Sequence, residues 1–205
     1  MPWASAPNKF EALATNDTMV EVAGMLTTVA VGMTKIANDL RLLGSGPRSG
    51  LGELALPENE PGSSTMPGKI SPTQCQALTM VCAQVIGNGH AVVVGGLQGQ
   101  LQLNVFKPLI AHNVIGSIGI LGDAIDSFRL RCVDGMTPNR ERLAELIERS
   151  LVLVTALAPV IDHEKAAAIA KKAHHDGSSL LEACLPLGLI DEATFRRLVR
   201  PEAMV

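Results

Sequence analysis

Between Phe10 and Leu43, apolar residues such as Leu13, Val20, Met25, Val29, Met33, Ile36 and Leu40 return mostly at three- and four-residue steps, with no proline among them. That spacing predicts one continuous amphipathic helix. At ~1.5 Å per residue it would run on the order of 50 Å, more than a small domain needs for its own core. It therefore predicts packing against equally long neighbours, including helices of other subunits. Gly44, which opens "GSGPRSG", stops it.

Gly44 to Ser71 is rich in glycine and proline around "LGELALPENE" and reads as an irregular excursion. Long ordered loops tend to carry function. Ser71 with Gln74 three residues on has the pattern of a capping box, and Pro72 suits a first helical position, so a second helix is predicted to start at Pro72. Leu78, Val81, Cys82 and Val85 keep its apolar period; "GNGH" is expected to loosen it near Gly87, and "GGLQG" to end it by Gly99. A third helical segment runs from about Val105 to Cys132, where Gly116, Gly119 and Gly122 are spaced for close helix approach. Thr137 is predicted to cap a fourth helix, with Pro138 at its first position and Ile147, Leu151 and Val154 on its apolar face. Beyond Pro159, "DHEKAAAIAKKAHHDG", "SSLLEACLPLG" and "DEATFRRLV" predict three short helices, each opened by Asp or Ser and the first two closed by Gly. The expected architecture is all-α, a long-helix bundle domain over 1–158 and a small helical C-terminal subdomain over 159–205.

Composition agrees. Of 205 residues 47% are hydrophobic but only 2% aromatic, so the core must be built from Ala, Val, Leu, Ile and Met, which argues against a β-sandwich. A net charge of −3 and no basic run longer than Lys171-Lys172 exclude the electrostatic footprint of a nucleic-acid binder. Cys75, Cys82, Cys132 and Cys184 form no CxxC pair and have no histidines at zinc spacing, so buried reduced thiols are expected, with no metal and no cofactor. "MPWASAPNKF" lacks the pattern of a secretory signal, and Gly, Gln, Asn or a charge interrupts each longer apolar run. A cytoplasmic chain with no membrane partner is the expectation.

The chemistry concentrates in "PGSSTMPGKISPTQ", Pro61 to Gln74. A glycine-rich loop that feeds a helix N-terminus is an anion site, because backbone N–H groups and the positive end of the helix dipole converge there. Lys69 adds a cation, Ser63 and Ser64 add hydroxyls, and Gly62 and Gly68 let the backbone approach a ligand. Carboxylates suit such a loop. On composition alone, solvated loop chemistry is the simpler account; the order of the residues shifts the balance.

"GSSTMPGKISPTQ" resembles the signature loop of the fumarase/aspartase superfamily, GSSxMPxKxNP. "APNKFEALATNDTMVE", "GGLQGQLQLNVFKP", "TPNRERL", "SLVLVTALAP" and "KAAAIAKKAH" are similar to class II fumarate hydratase, so that the resemblance covers almost the whole chain. Pro67-Gly68-Lys69 and Pro72-Thr73-Gln74 are similar to fumarases rather than to other lyases of the superfamily. The resemblance implies long helices assembled into the central bundle of a homotetramer, and reversible hydration of fumarate to L-malate. It assigns Ser63 as the base on the loop, with Ser64, Lys69 and Ser71 as substrate-carboxylate ligands.

The resemblance covers the C-terminal part of such an enzyme; the N-terminal half, which carries the catalytic histidine, has no counterpart. The family's sites are composite, so the loop is one wall of a pocket, and the chain alone is expected to be inactive unless a complementing N-terminal fumarase chain supplies the rest. Three positions depart from the family pattern: Ser71 replaces an asparagine, Gln76 replaces a glutamate that charges the catalytic histidine, and Gln102 replaces a further glutamate. A neutral amide accepts a hydrogen bond but does not stabilise imidazolium as a carboxylate does. The alternative is therefore a catalytically inactive helical assembly module derived from a fumarase. Elsewhere, His174 and His175 are adjacent and point about 100° apart on a helix, which suits a solvated helix end rather than a metal pair. Arg48 reads as a structural anchor of its loop.

Overall fold

The computed structural model describes residues 4–59, 61–62, 65–66, 68–69 and 71–204. The chain divides into two compact units, Met1–Pro138 and Asn139–Val205. The first is built on three long helices, α2 (Asp17–Leu43), α3 (Thr73–Gly96) and α4 (Lys107–Phe128), preceded by the short α1 (Lys9–Ala14). α3 lies between the other two. It buries Cys75, Leu78, Cys82, Val85, Gly89 and Val92, steps of three and four that keep one face inward. α2 buries Ala23, Ala30 and Ala37, small residues every second turn, so its backbone lies close to α3. The glycines of α3 permit that approach: a methyl at Gly89 would stand 2.7 Å from Thr27 Oγ1, and one at Gly96 2.7 Å from Val20 Cγ2.

The predicted single helix from Phe10 to Leu43 is two helices. Thr15 is extended and folds its hydroxyl back on Glu11 Oε1 at 2.6 Å, while Asn16 C=O accepts from Met19 and Val20 N–H to start α2 afresh. "ATNDT" offers no apolar anchor, and Asn and Asp favour helix starts over helix interiors. α3 begins at Thr73 rather than Pro72 and has no side-chain cap, so the expected capping box is absent. It also runs through Gly87 without loosening and ends at Gly96, where buried packing on both sides outweighs the weak propensity of glycine. Gly116, Gly119 and Gly122 meet no atom of this chain within 4 Å of a built Cβ, so the close approach expected there is not made within the chain.

After α4 the chain makes one π-helical turn, Arg129–Val133, and then a short strand β2 (Thr137–Pro138) that pairs antiparallel with β1 (Leu54–Ala55). Thr137 is thus a strand residue and not a cap. Asn139 caps instead, its Oδ1 accepting from Arg142 N–H at 3.2 Å at the start of α5 (Arg140–Glu148). Among the described residues of α2 to α4, Met25, Val31, Met80, Val94, Ile115 and Ile118 are exposed. α2, α3 and the span Lys107–Val133 are long and apolar enough, by length and composition alone, to cross a membrane. This corrects the expectation that the apolar runs are broken too early: glycine and asparagine interrupt the apolar string without interrupting the helix.

In the second unit a 3-10 segment, Leu151–Ala156, leads into α6 (Ala158–Ile161), α7 (His163–Asp176), α8 (Leu180–Cys184) and α9 (Glu192–Leu198). Leu157, Ile161, Ile169, Leu180, Cys184 and Phe195 form its core, and Leu151, Leu153 and Val154 pack on it. The residues between 139 and 158 therefore belong by contact to this unit, whereas the sequence reading drew the boundary after 158. The three predicted caps are all present. Asp162 Oδ1 accepts from Lys165 N–H, Asp191 Oδ1 accepts from Thr194 N–H, and Ser179 with Glu182 forms a reciprocal capping box. Gly177 and Gly188 end α7 and the turn after α8 in the left-handed conformation, at φ +65° and +63°.

Candidate functional site

The loop between β1 and α3 is closed by its own backbone. Gly62 N–H donates to Lys69 C=O at 2.7 Å, Lys69 N–H donates to Met66 C=O at 3.2 Å, and Gly68 between them adopts φ +77°, a conformation glycine accepts without strain. Ser71 Oγ donates to Gly62 C=O at 3.2 Å. The two hydrogen bonds on Gly62 tie the start of the loop to its end. Ser63 and Ser64, the expected base and carboxylate ligand, lie outside the described residues.

Lys69 is exposed and, among the described residues, forms no ion pair, so its ammonium is free to meet an anion. α3 starts two residues beyond Ser71 without a side-chain cap; Thr73 N–H donates to Ser71 C=O and Gln76 N–H to Pro72 C=O, so the Gln74 and Cys75 N–H groups and the positive end of the dipole are what the helix start offers at the end of the loop. Gln76 sits in the first turn, half-buried. Ser71 has a single hydroxyl proton; while it donates to Gly62 C=O it cannot donate to a carboxylate. Gln102 and Arg48 are exposed and lie in other loops.

Sequence reasoning missed the residues that hold the loop in place. Gln74 Oε1 accepts from Ser127 Oγ on α4 at 2.9 Å, and Asn59 Nδ2 donates to Arg131 C=O in the π-turn at 2.6 Å. Their partners are 53 and 72 positions away, so no local spacing signals them. One residue beyond Gln74, Cys75 Sγ lies 4.0 Å from Cys132 Sγ. Burial, and then the neighbouring Cys132, push the Cys75 thiol up to about 12, and burial raises Cys132 as well. These are inert thiols. Among the described residues no three His, Cys, Asp or Glu side chains converge as a metal site would require.

Comparison with known proteins follows the same lines. The Lyase family matches residues 1–87, and the Fumarase C C-terminus family matches residues 153–205. The chain is 60% identical over 205 residues to the class II fumarate hydratase of Methylorubrum extorquens, covering 100% of this chain and 43% of that one. It is also 60% identical over 205 residues to the mitochondrial fumarate hydratase of Danio rerio, of which it covers 40%. Its fold matches the crystal structure of a class II fumarase from Schistosoma mansoni with a TM-score of 0.93 and 42% identity, over 97% of this chain and 42% of that chain. It thus spans well under half the length of these relatives. Over its whole length the chain is similar, in sequence and in fold, to class II fumarate hydratases.

Proposed function

We propose that the chain contributes one wall of a composite fumarate hydratase site, which catalyses the reversible hydration of fumarate to L-malate. The observation that carries this reading is the closed loop from Gly62 to Lys69, set at the uncapped start of α3 with the Lys69 ammonium free. In the dehydration direction a base removes the proton beside a carboxylate, giving an aci-carboxylate, and hydroxide then leaves with a proton from a general acid. That proton is weakly acidic, so the dianionic intermediate needs aimed donors and cations. Ser63 is the base in this reading, and Ser64 and Lys69 hold substrate carboxylate. Ser71 joins them only by turning its hydroxyl away from Gly62.

The exposed apolar faces of α2 to α4 support assembly into a homotetramer, in which other subunits or a complementing N-terminal chain complete the site. Four free buried cysteines suit a reducing compartment such as the cytoplasm. A second reading, an assembly module without chemistry, is favoured by the neutral Gln76 and by the engaged hydroxyl of Ser71. The test is fumarate absorbance during incubation with L-malate, using the chain alone and then mixed with an N-terminal fumarase half. Turnover only in the mixture, abolished by Ser63→Ala, supports the lyase reading. Co-assembly without turnover supports the module.

A further inference from the structure

We infer that the C-terminal end of α4 is a clamp for both feet of the loop, and that Asn59 and Ser127 are positioning residues for it. The entry foot is Asn59, whose Nδ2 donates to Arg131 C=O at 2.6 Å. The exit foot is Gln74, which accepts from Ser127 Oγ at 2.9 Å. Ser127 and Arg131 are four residues apart, so the two anchors, one a side-chain hydroxyl and the other a backbone carbonyl, are about one turn apart at the end of α4. Phe128 and Cys132, each one residue further on, are both buried in the α2–α3–α4 core, where Cys132 meets Cys75. One and a half turns therefore grip the loop from outside while fixed to the core from within.

The local chemistry explains why this end of α4 is suited to the task. Carbonyls in the last turn of a helix have no partner further along it. The π-turn closes with Asp134 N–H on Arg129 C=O at 2.9 Å, and Arg131 C=O takes the side-chain amide of Asn59 instead. Pairing of β1 with β2 just before Asn59, and a 2.7 Å approach of Pro57 to the position a Cβ would take on Gly135, bring the incoming strand to the same place. The loop closure through Gly62, Lys69 and Ser71 spans the gap between the two feet. Without the clamp that closure has to hold the loop alone.

The proposal rests on the reading of this loop as the substrate-binding element, but its test does not need turnover. Amide exchange at Gly62 and Lys69 is followed in the full chain by mass spectrometry with residue-level fragmentation. Asn59→Ala and Ser127→Ala are each expected to speed exchange at both amides roughly five- to tenfold, the factor for loss of one ordinary hydrogen bond. Exchange at Val85 and Val92 inside α3 should stay unchanged. Ser127→Thr, which keeps the hydroxyl, and Gln74→Glu, which keeps an acceptor, should restore slow exchange; Gln74→Leu should not. Unchanged exchange at Gly62 and Lys69 in both alanine variants would overturn the clamp, as would acceleration spread equally over α3. In the complemented enzyme the alanine variants should raise KM more than they lower kcat. If slow exchange requires the clamp but no assembly turns over malate, the clamp stands and the lyase reading fails.

Discussion

Cys75 Sγ lies 4.0 Å from Cys132 Sγ, and the pair joins the first turn of α3 to the π-turn that ends α4. Both thiols are buried, and burial raises both above the ordinary thiol range, Cys75 to about 12. At neutral pH they are protonated and poor nucleophiles. Iodoacetamide should therefore leave both unmodified in the folded chain and label them promptly after denaturation. The pH dependence has a definite sign. The unfolded thiols ionise near their ordinary value of 9.0 and the folded ones higher, so this contribution to stability is complete below pH 9 and is lost as pH rises toward 12. Urea midpoints measured from pH 8 to 11 should fall, and the fall should be smaller in Cys75→Ala. Equal slopes in the two proteins would contradict the assignment.

Asn104 is fully buried and makes a complete set of bonds. Its Nδ2 donates to Gly95 C=O at 3.0 Å and Gln98 C=O at 2.8 Å, and its Oδ1 accepts from Phe106 N–H at 2.8 Å. Asn104 N–H also donates to Leu13 C=O at 3.0 Å, so one residue ties α1, the end of α3 and the start of α4 together. Asn104→Ala leaves Gln98 C=O and Phe106 N–H without partners, while Gly95 C=O keeps the Gln98 N–H, and should cost about 2–4 kcal/mol. Asn104→Asp should cost more, because it turns an anion toward two carbonyls. Denaturant unfolding orders the three proteins; an aspartate variant as stable as the parent would contradict the assigned amide orientation.

The all-α fold and the caps at Asp162, Ser179 and Asp191 were legible in the sequence because period and capping are local. The motif loop was legible as a string. Its closure was not, because the bond from Ser71 to Gly62 replaces the helix cap that the string suggests. Thr137 misled for the same reason: pairing with Ala55 across the chain outweighed a good local cap position. The anchors at Asn59 and Ser127 depend on partners that only the fold brings near.

Gly89 and Gly119 separate packing within the chain from packing beyond it. A methyl at Gly89 would press on Thr27 Oγ1 at 2.7 Å, so Gly89→Ala should destabilise by roughly 1–3 kcal/mol. Gly119 has nothing within 4 Å, so in a single chain Gly119→Ala should stabilise by ~1 kcal/mol through helix propensity. If α4 packs on a partner helix there, the same change should instead weaken association. Sedimentation velocity should show the parent as self-associated and the Gly119→Ala variant shifted toward monomer. A monodisperse monomeric parent would contradict the bundle.

The second unit should be sensitive to acid through its caps. Hydrogen bonds from backbone N–H groups at the helix starts hold Asp162, Glu182 and Asp191 below the usual carboxylate range, foremost those from Lys165 and Thr194 in the first turn and from the cap residue Ser179. Because the folded values are depressed, their stabilisation is fully present above the ordinary carboxylate range and is lost as pH falls through it. Asn at these positions keeps an oxygen acceptor but does not titrate. Exchange at Ile169 and Phe195, measured from pH 7 downward with correction for intrinsic rates, should report the opening of this unit. The parent should lose protection steeply as the carboxylates protonate, whereas the Asp162→Asn, Asp191→Asn variant should start slightly less protected and fall less. Parallel curves for the two proteins would show that the carboxylate caps do not govern its acid response.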